Sequence, residues 1–145
     1  ICMLKNLESL QLHDCLLLEK LPEDLGRLEC LKHLNLSFCK HLRDIPESIC
    51  MMKCLKYLSL YYCIKLEKLP EELGCLEHLG ELHVQGTSII HLPQSILLVK
   101  GLRIFRSRKL LESWGFSSEI QGPLYDCYVQ LPTAGVSRDE FFEAL

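Results

Sequence analysis

Nine cysteines and six histidines in a chain of 145 residues are the side chains whose chemistry must be decided first. Such a set can close disulfides, bind a metal, or supply a nucleophile with its base. The spacing argues for none of these. Cys15, Cys39 and Cys63 recur every 24 residues, and Cys30 and Cys54 share that interval, so the cysteines follow a structural slot. Cys50-Met-Met-Lys-Cys54 is the nearest thing to a ligand pair, and no second pair complements it at zinc-site spacing. Free thiols packed as small hydrophobes, in a reducing compartment, are the expectation. No order of Ser, His and Asp, or of Cys and His, stands out as a catalytic set. Gly-x-x-x-x-Gly-Lys-Ser/Thr is absent from the sequence. The chain is therefore expected to be non-enzymatic, with no metal and no cofactor of its own. Asn35-Leu36-Ser37 fits a glycosylation sequon and is expected to be idle.

Composition narrows the class further. The chain holds 32 leucines, 48 % hydrophobic residues and 24 % charged ones, which excludes disorder. No apolar run reaches the ~18–20 residues of a membrane span. A net charge of −3 argues against general nucleic-acid binding. The absence of a basic-then-apolar leader after Ile1 is read as no signal peptide, and the chain as a piece of something longer.

The elements that position these side chains follow from an internal repeat. Leu7-x-x-Leu10-x-Leu12-x-x-Cys15 is followed by Leu31-x-x-Leu34-x-Leu36-x-x-Cys39 and Leu55-x-x-Leu58-x-Leu60-x-x-Cys63. A fourth copy reads Leu79-x-x-Leu82-x-Val84-x-x-Thr87, and a weaker fifth Leu102-x-x-Phe105-x-Ser107. Pro22, Pro46, Pro70 and Pro93 keep the same beat. Within each copy the paired apolar residues flank one outward residue, as in a strand, and successive strands stack in parallel about 4.8 Å apart. Cys15, Cys39, Cys63 and Thr87 end the strands, able to turn a weak donor toward a loop carbonyl. Segments such as Leu21-Pro22-Glu23-Asp24-Leu25-Gly26 have proline at a first helical position, acids in the first turn and glycine after the last. Short helical or 3₁₀ returns are expected. The fold class is thus α/β, a solenoid with a parallel sheet on its concave face, over residues 1–112. Residues 113–145 form a cap or the start of a further domain. Within them, 124–131 has strand composition, and Ser137-Arg138-Asp139-Glu140 has the spacing of a capping box.

These residues resemble the leucine-rich repeat, and more narrowly its plant intracellular form. The resemblance rests on the strand-end cysteine, the Leu-Pro-Glu returns, and Gly86-Thr87-Ser88-Ile89 running into Leu92-Pro93-Gln94-Ser95-Ile96. Such units are common in plant disease-resistance receptors with a nucleotide-binding switch, TIR-type more than coiled-coil type. The resemblance implies a protein-recognition and autoinhibitory module of the cytoplasm, or of cytoplasm and nucleus. Its partners would be a pathogen effector, a guarded host protein or the receptor's own nucleotide-binding domain. ADP or ATP, and any NAD cleavage by a TIR domain, would belong to other parts of the receptor. The alternative is an intracellular leucine-rich-repeat scaffold without a nucleotide-binding domain, which would usually carry Asn at the strand end.

Outward strand positions supply the candidate partner contacts: Gln11, His13, His33, Asn35, Ser59, His83 and Gln85, with Tyr57, Tyr61 and Tyr62 as an aromatic column. Tyrosine offers large contact area at low entropic cost. Lys100, Arg103, Arg106, Arg108 and Lys109 place five cations within ten residues. Of these, Arg106 and Arg108 are expected on the exposed strand face of the fifth repeat, facing an acidic partner surface.

Overall fold

The computed structural model describes residues 3–133; the helix start expected at Ser137–Glu140 lies outside them. Five short strands, β1 (Ser9–Gln11), β2 (His33–Asn35), β3 (Tyr57–Ser59), β4 (Glu81–His83) and β5 (Arg103–Phe105), pair in parallel and in chain order. A sixth, β6 (Tyr128–Gln130), closes the row antiparallel to β5. Each strand is three residues long because only its central residue points inward before the chain turns away. Leu10, Leu34, Leu58, Leu82 and Ile104 are those central residues, opposite one another across the sheet. Leu34, Leu58, Leu82 and Ile104 are fully buried.

The ladder of backbone hydrogen bonds continues past the strand ends. Asp14, Phe38 and Tyr62, again 24 residues apart, donate to the carbonyls of Ser37, Tyr61 and Gln85 at 2.7–2.9 Å. All three have φ near +60°, in the left-handed region, which costs a residue other than glycine roughly 1–2 kcal/mol. The following cysteine then turns inward. Cys39 and Cys63 each direct their thiol at the carbonyl of Leu12 and Leu36, one turn back, at 3.0 Å. Burial pushes the Cys63 thiol up to about 12 and that of Cys50 to about 11. Neither forms a reactive thiolate near neutral pH.

The returns are 3₁₀ turns, at Leu25–Arg27, Glu47–Met51, Leu73–Cys75 and Gln94–Leu98. Glycine does not follow them, as its helix-ending habit suggests; Gly26 and Gly74 lie inside the first and third. The reason is close approach rather than termination. A Cβ at Gly26 would run into the Ser48 carbonyl of the next turn, and one at Gly74 into the Ser95 carbonyl. The same two amides donate to the serine hydroxyls at 3.2 and 3.0 Å. Pro46 and Pro93 also stand just before their turns, in extended conformation, rather than at the first helical position.

After β5 the chain forms one helix, α1 (Arg108–Ser113), where the sequence reading placed Arg108 on a strand. Trp114 then donates its indole N–H to the Ile90 carbonyl at 2.7 Å. Leu111, Phe116, Cys127, Val129 and Leu131 are buried in the same core as the repeat leucines.

Candidate functional site

On the concave sheet, outward side chains form columns because the strands are in register. His33 and Tyr57 share one column with Glu81 and Arg103, while Asn35, Ser59, His83 and Phe105 share the next. Rings from the two columns touch in a row that crosses five strands. Centroids are 6.1 Å apart from His33 to Tyr57 and 5.2 Å from Tyr57 to His83. His83 stacks on Phe105 at 4.1 Å and 6°, and Phe105 meets Tyr128 at 5.0 Å. A second group sits beside it: Phe38 stacks on Tyr62 at 5.6 Å, and Tyr61 packs edge-on against both. The left-handed backbone at 38 and 62 is what brings these two rings parallel on successive turns.

Between the rings the serines are short, and a hollow opens. Ser37, Tyr57, Ser59, Tyr61, His83 and Gln85 line it, and Tyr125 and Asp126 overhang it from the loop before β6. Its volume is about 390 Å³. A second hollow of about 160 Å³ adjoins it and shares Tyr61, Gln85 and Tyr125. Tyr125 is 89 % exposed and Leu124 is exposed beside it, so the rim is large and apolar. At the floor Ser37 and Ser59 join their hydroxyls at 2.7 Å. Burial holds the His83 imidazole below its usual value near 6.5, against the opposing pull of Glu81 and of Asp126. Glu81 lies 3.6 Å away, beyond hydrogen-bond reach.

The candidates separate clearly on this geometry. Tyr57, Ser59, Tyr61, His83 and Gln85 come together in the hollow, and Tyr62 and His33 flank it. Gln11 and His13 are exposed at the far edge, His13 3.3 Å from the Asp14 carboxylate. Asn35 spends its amide oxygen on the Ser37 N–H at 2.9 Å. Three placements differ from expectation. Ser59 is not an open contact position; it is only 2 % exposed, because the larger side chains around it close over it. Arg106 is not on the exposed face: it is 5 % exposed. Its guanidinium donates to Thr87 Oγ1 and the Thr87 carbonyl at 2.8 Å, to the Ile89 carbonyl at 3.3 Å, and to the Val84 carbonyl. Arg108 is not on a strand at all; it begins α1 and pairs with Glu112 at 3.3 Å.

The cause of the two arginine differences is a single lost residue. Ile104, not Phe105, pairs with Leu82, so the last parallel strand is offset by one from the Leu102-x-x-Phe105 frame. A shift of one residue exchanges the faces of a strand. Phe105 therefore joins the concave row, and Arg106 turns into the core slot that Val84 fills one turn earlier. Desolvation lowers the Arg106 pKa from its ordinary value, yet a guanidinium remains charged in proteins. Carbonyl oxygens and one hydroxyl hold it without a carboxylate. The exchange of Cys for Thr at 87 is the sequence signal for this site, since a threonine oxygen accepts well where a thiol accepts poorly. Phe38, Phe105, Tyr125, Asp126 and Tyr128 also belong to the concave surface and were missed. The first four lie at turn or frame positions of repeats, or in a loop without repeat spacing, and β6 offers only its composition.

Among the described residues no group of three or more His, Cys, Asp or Glu is placed to hold a metal ion, and no helix is long and apolar enough to cross a membrane. An in-register parallel sheet on one side and 3₁₀ returns on the other define a leucine-rich-repeat solenoid. Residues 6–28 and 30–52 each match the Leucine Rich Repeat family model. Among solved structures, an LRR protein of Leptospira interrogans is similar at 32 % identity, over 73 % of this chain and 32 % of that one, with a TM-score of 0.46. The chain thus spans about a third of that protein's length. No curated protein matches.

Proposed function

We propose that this solenoid is a protein-recognition module whose contact surface is the concave face from β2 to β6. The observation that carries this reading is the unbroken row of rings from His33 to Tyr128 around a hollow with an exposed aromatic rim. Aromatic side chains dominate contact energies because they bury large area and lose little rotamer freedom. The test is selection of a random displayed peptide library against the chain. Selected peptides should bind Met51→Ser, altered on the exposed convex side, as they bind the wild type. They should lose at least about tenfold in affinity toward Tyr57→Ala or Tyr61→Ala. Equal binding to all of these would overturn the assignment of the concave face.

The resemblance in the Leu-Pro-Glu returns and in 86–96 supports a finer reading. In it the module senses a pathogen effector or a guarded host protein, and restrains the nucleotide switch of a plant disease-resistance receptor, TIR-type, in the cytoplasm. ADP or ATP would bind that receptor's nucleotide-binding domain. Since Arg106 is a core residue, the exposed cations of that cluster that would meet an acidic domain surface are Lys100, Arg108 and Lys109. In leaf tissue, Arg108→Glu in the full receptor should raise cell death without trigger, and Tyr61→Ala should abolish the triggered response at equal protein level. Wild-type behaviour of both would sink the finer reading and leave the recognition surface standing.

A further inference from the structure

We infer that the hollow between Tyr57, Tyr61 and Tyr125 is a pocket for an arginine side chain of the partner. The inference rests on the concave face being the recognition surface, and it names the chemistry read there. Its walls are tyrosine rings and its floor is serine hydroxyl. Three polar groups in it are uncommitted. Gln85 Oε1 and His83 Nε2 are buried without a hydrogen-bond partner among the described residues. The Asp126 carboxylate stands in no ion pair among them, although it is close enough to act on His83. The loop that carries Asp126 is pinned in place. Its amide donates to the Pro123 carbonyl at 2.9 Å, and the Cys127 thiol to the same carbonyl at 3.2 Å.

Charge complementarity then selects the occupant. Asp126 carries the one carboxylate lining the hollow. The nearest cation, Arg103, is engaged by Glu81 at 3.7 Å and lies 5.9 Å over the Tyr128 ring. Arg106 is turned into the core behind the sheet. Burial keeps His83 from adding a competing positive charge near neutral pH. An anion in this hollow would face the Asp126 carboxylate with no cation in the lining, the unpartnered Arg106 Nε belonging to the adjoining hollow, and a purely apolar side chain would strand the Gln85 oxygen and the hydroxyls. A guanidinium meets every group: it stacks on tyrosine faces and spreads five donors toward carboxylate, amide oxygen and hydroxyl. An ammonium is a compact point charge that reaches fewer of these acceptors at once.

The experiment is a titration of the chain, carbon-13 labelled on its aromatic rings, with acetyl-Gly-Arg-Gly-amide. The same peptides with citrulline or lysine at the centre serve as the neutral isostere and the alternative cation. The expected result is saturable movement of the Tyr57, Tyr61 and His83 ring signals by the arginine peptide, weaker movement by lysine and none by citrulline. Asp126→Asn, a change on an exposed loop, should leave the melting temperature unchanged and weaken arginine binding about three- to fivefold, as for an exposed ion pair. Equal binding of citrulline and arginine, tighter binding of lysine, or indifference to Asp126→Asn would overturn the inference. The peptide-library selection reads the broader assignment separately. Selected peptides that need Tyr57 but are indifferent to Asp126→Asn would remove the arginine pocket alone.

Discussion

The two ends of the parallel stack hold the same kind of residue in the same slot and treat it differently. Leu10 on β1 has one neighbouring strand and is only half-buried, whereas Ile104 on β5 lies between β4 and β6 and is fully buried. Leu7, Leu12 and Leu18 share the half-buried state of Leu10. At the covered end even a guanidinium is taken into the core, because the turns at Val84, Thr87 and Ile89 bring their carbonyls to it. In a stacked fold, then, burial belongs to the neighbours on both sides and not to the residue. A leucine in the repeat frame stabilises the chain only as far as the next turn covers it.

The largest effect that sharpens this comparison is expected at the centre. Leu58→Ala should cost ~2–5 kcal/mol in urea unfolding, since a cavity opens between two covering turns. Arg106→Ala should cost about 1–3 kcal/mol by leaving buried carbonyls without donors. Arg106→Lys should not fully restore it, because three donors on one nitrogen cannot reach the four acceptor atoms that the guanidinium meets from two. Leu10→Ala should fall below Leu58→Ala, at about 1–2 kcal/mol, because part of its surface is already wet. If Leu10→Ala matched Leu58→Ala, the contrast between the edges would be broken.

A smaller effect is expected with pH. The folded chain holds the His83 pKa below 6.5, so the unfolded chain binds the extra proton more readily. Its contribution to stability is therefore complete above pH 6.5 and declines as pH falls below that value. Glu81, Asp126 and Arg103 face the ring; among the substitutions that keep the stack on Phe105, His83→Phe removes the titrating group itself. The urea midpoint of His83→Phe should change less than that of the wild type between pH 6.5 and 5. Parallel pH profiles would show that His83 is not held neutral. Gln11→Ala, on the exposed edge, should stay within about 0.5 kcal/mol at any pH.

The parts of this molecule that repeat were legible in the sequence, and the parts that depend on a neighbour of a different type were not. Leu10, Leu34, Leu58 and Leu82 recur with the same flanking residues, so strand, face and stacking direction all follow from period alone. Ser59 was read as exposed because Gln11 and Asn35 precede it in its column; its burial comes from Tyr57, Tyr61 and His83, chosen independently in two turns. The fifth strand kept a leucine and a phenylalanine at repeat spacing, so the missing residue between Leu102 and Ile104 left no trace in the pattern. Tyr125 and Asp126 reach the hollow from a loop whose path is set by pairing of β6, and no local periodicity encodes that path. The rim of the hollow thus comes from where the repeat breaks, while its floor and the leucine core come from where it holds.

The serine-to-glycine contacts of the returns have a consequence for how such a chain can be edited. Gly26 is seated on Ser48 and Gly74 on Ser95, so the turns are mated in couples, first with second and third with fourth. Excising one inner repeat would bring two glycine turns, or two serine turns, face to face and lose one of the two seats. Excising a whole couple would leave every remaining seat filled. The natural module for grafting, shortening or lengthening this solenoid is accordingly the double repeat, with single repeats behaving as half of a joint.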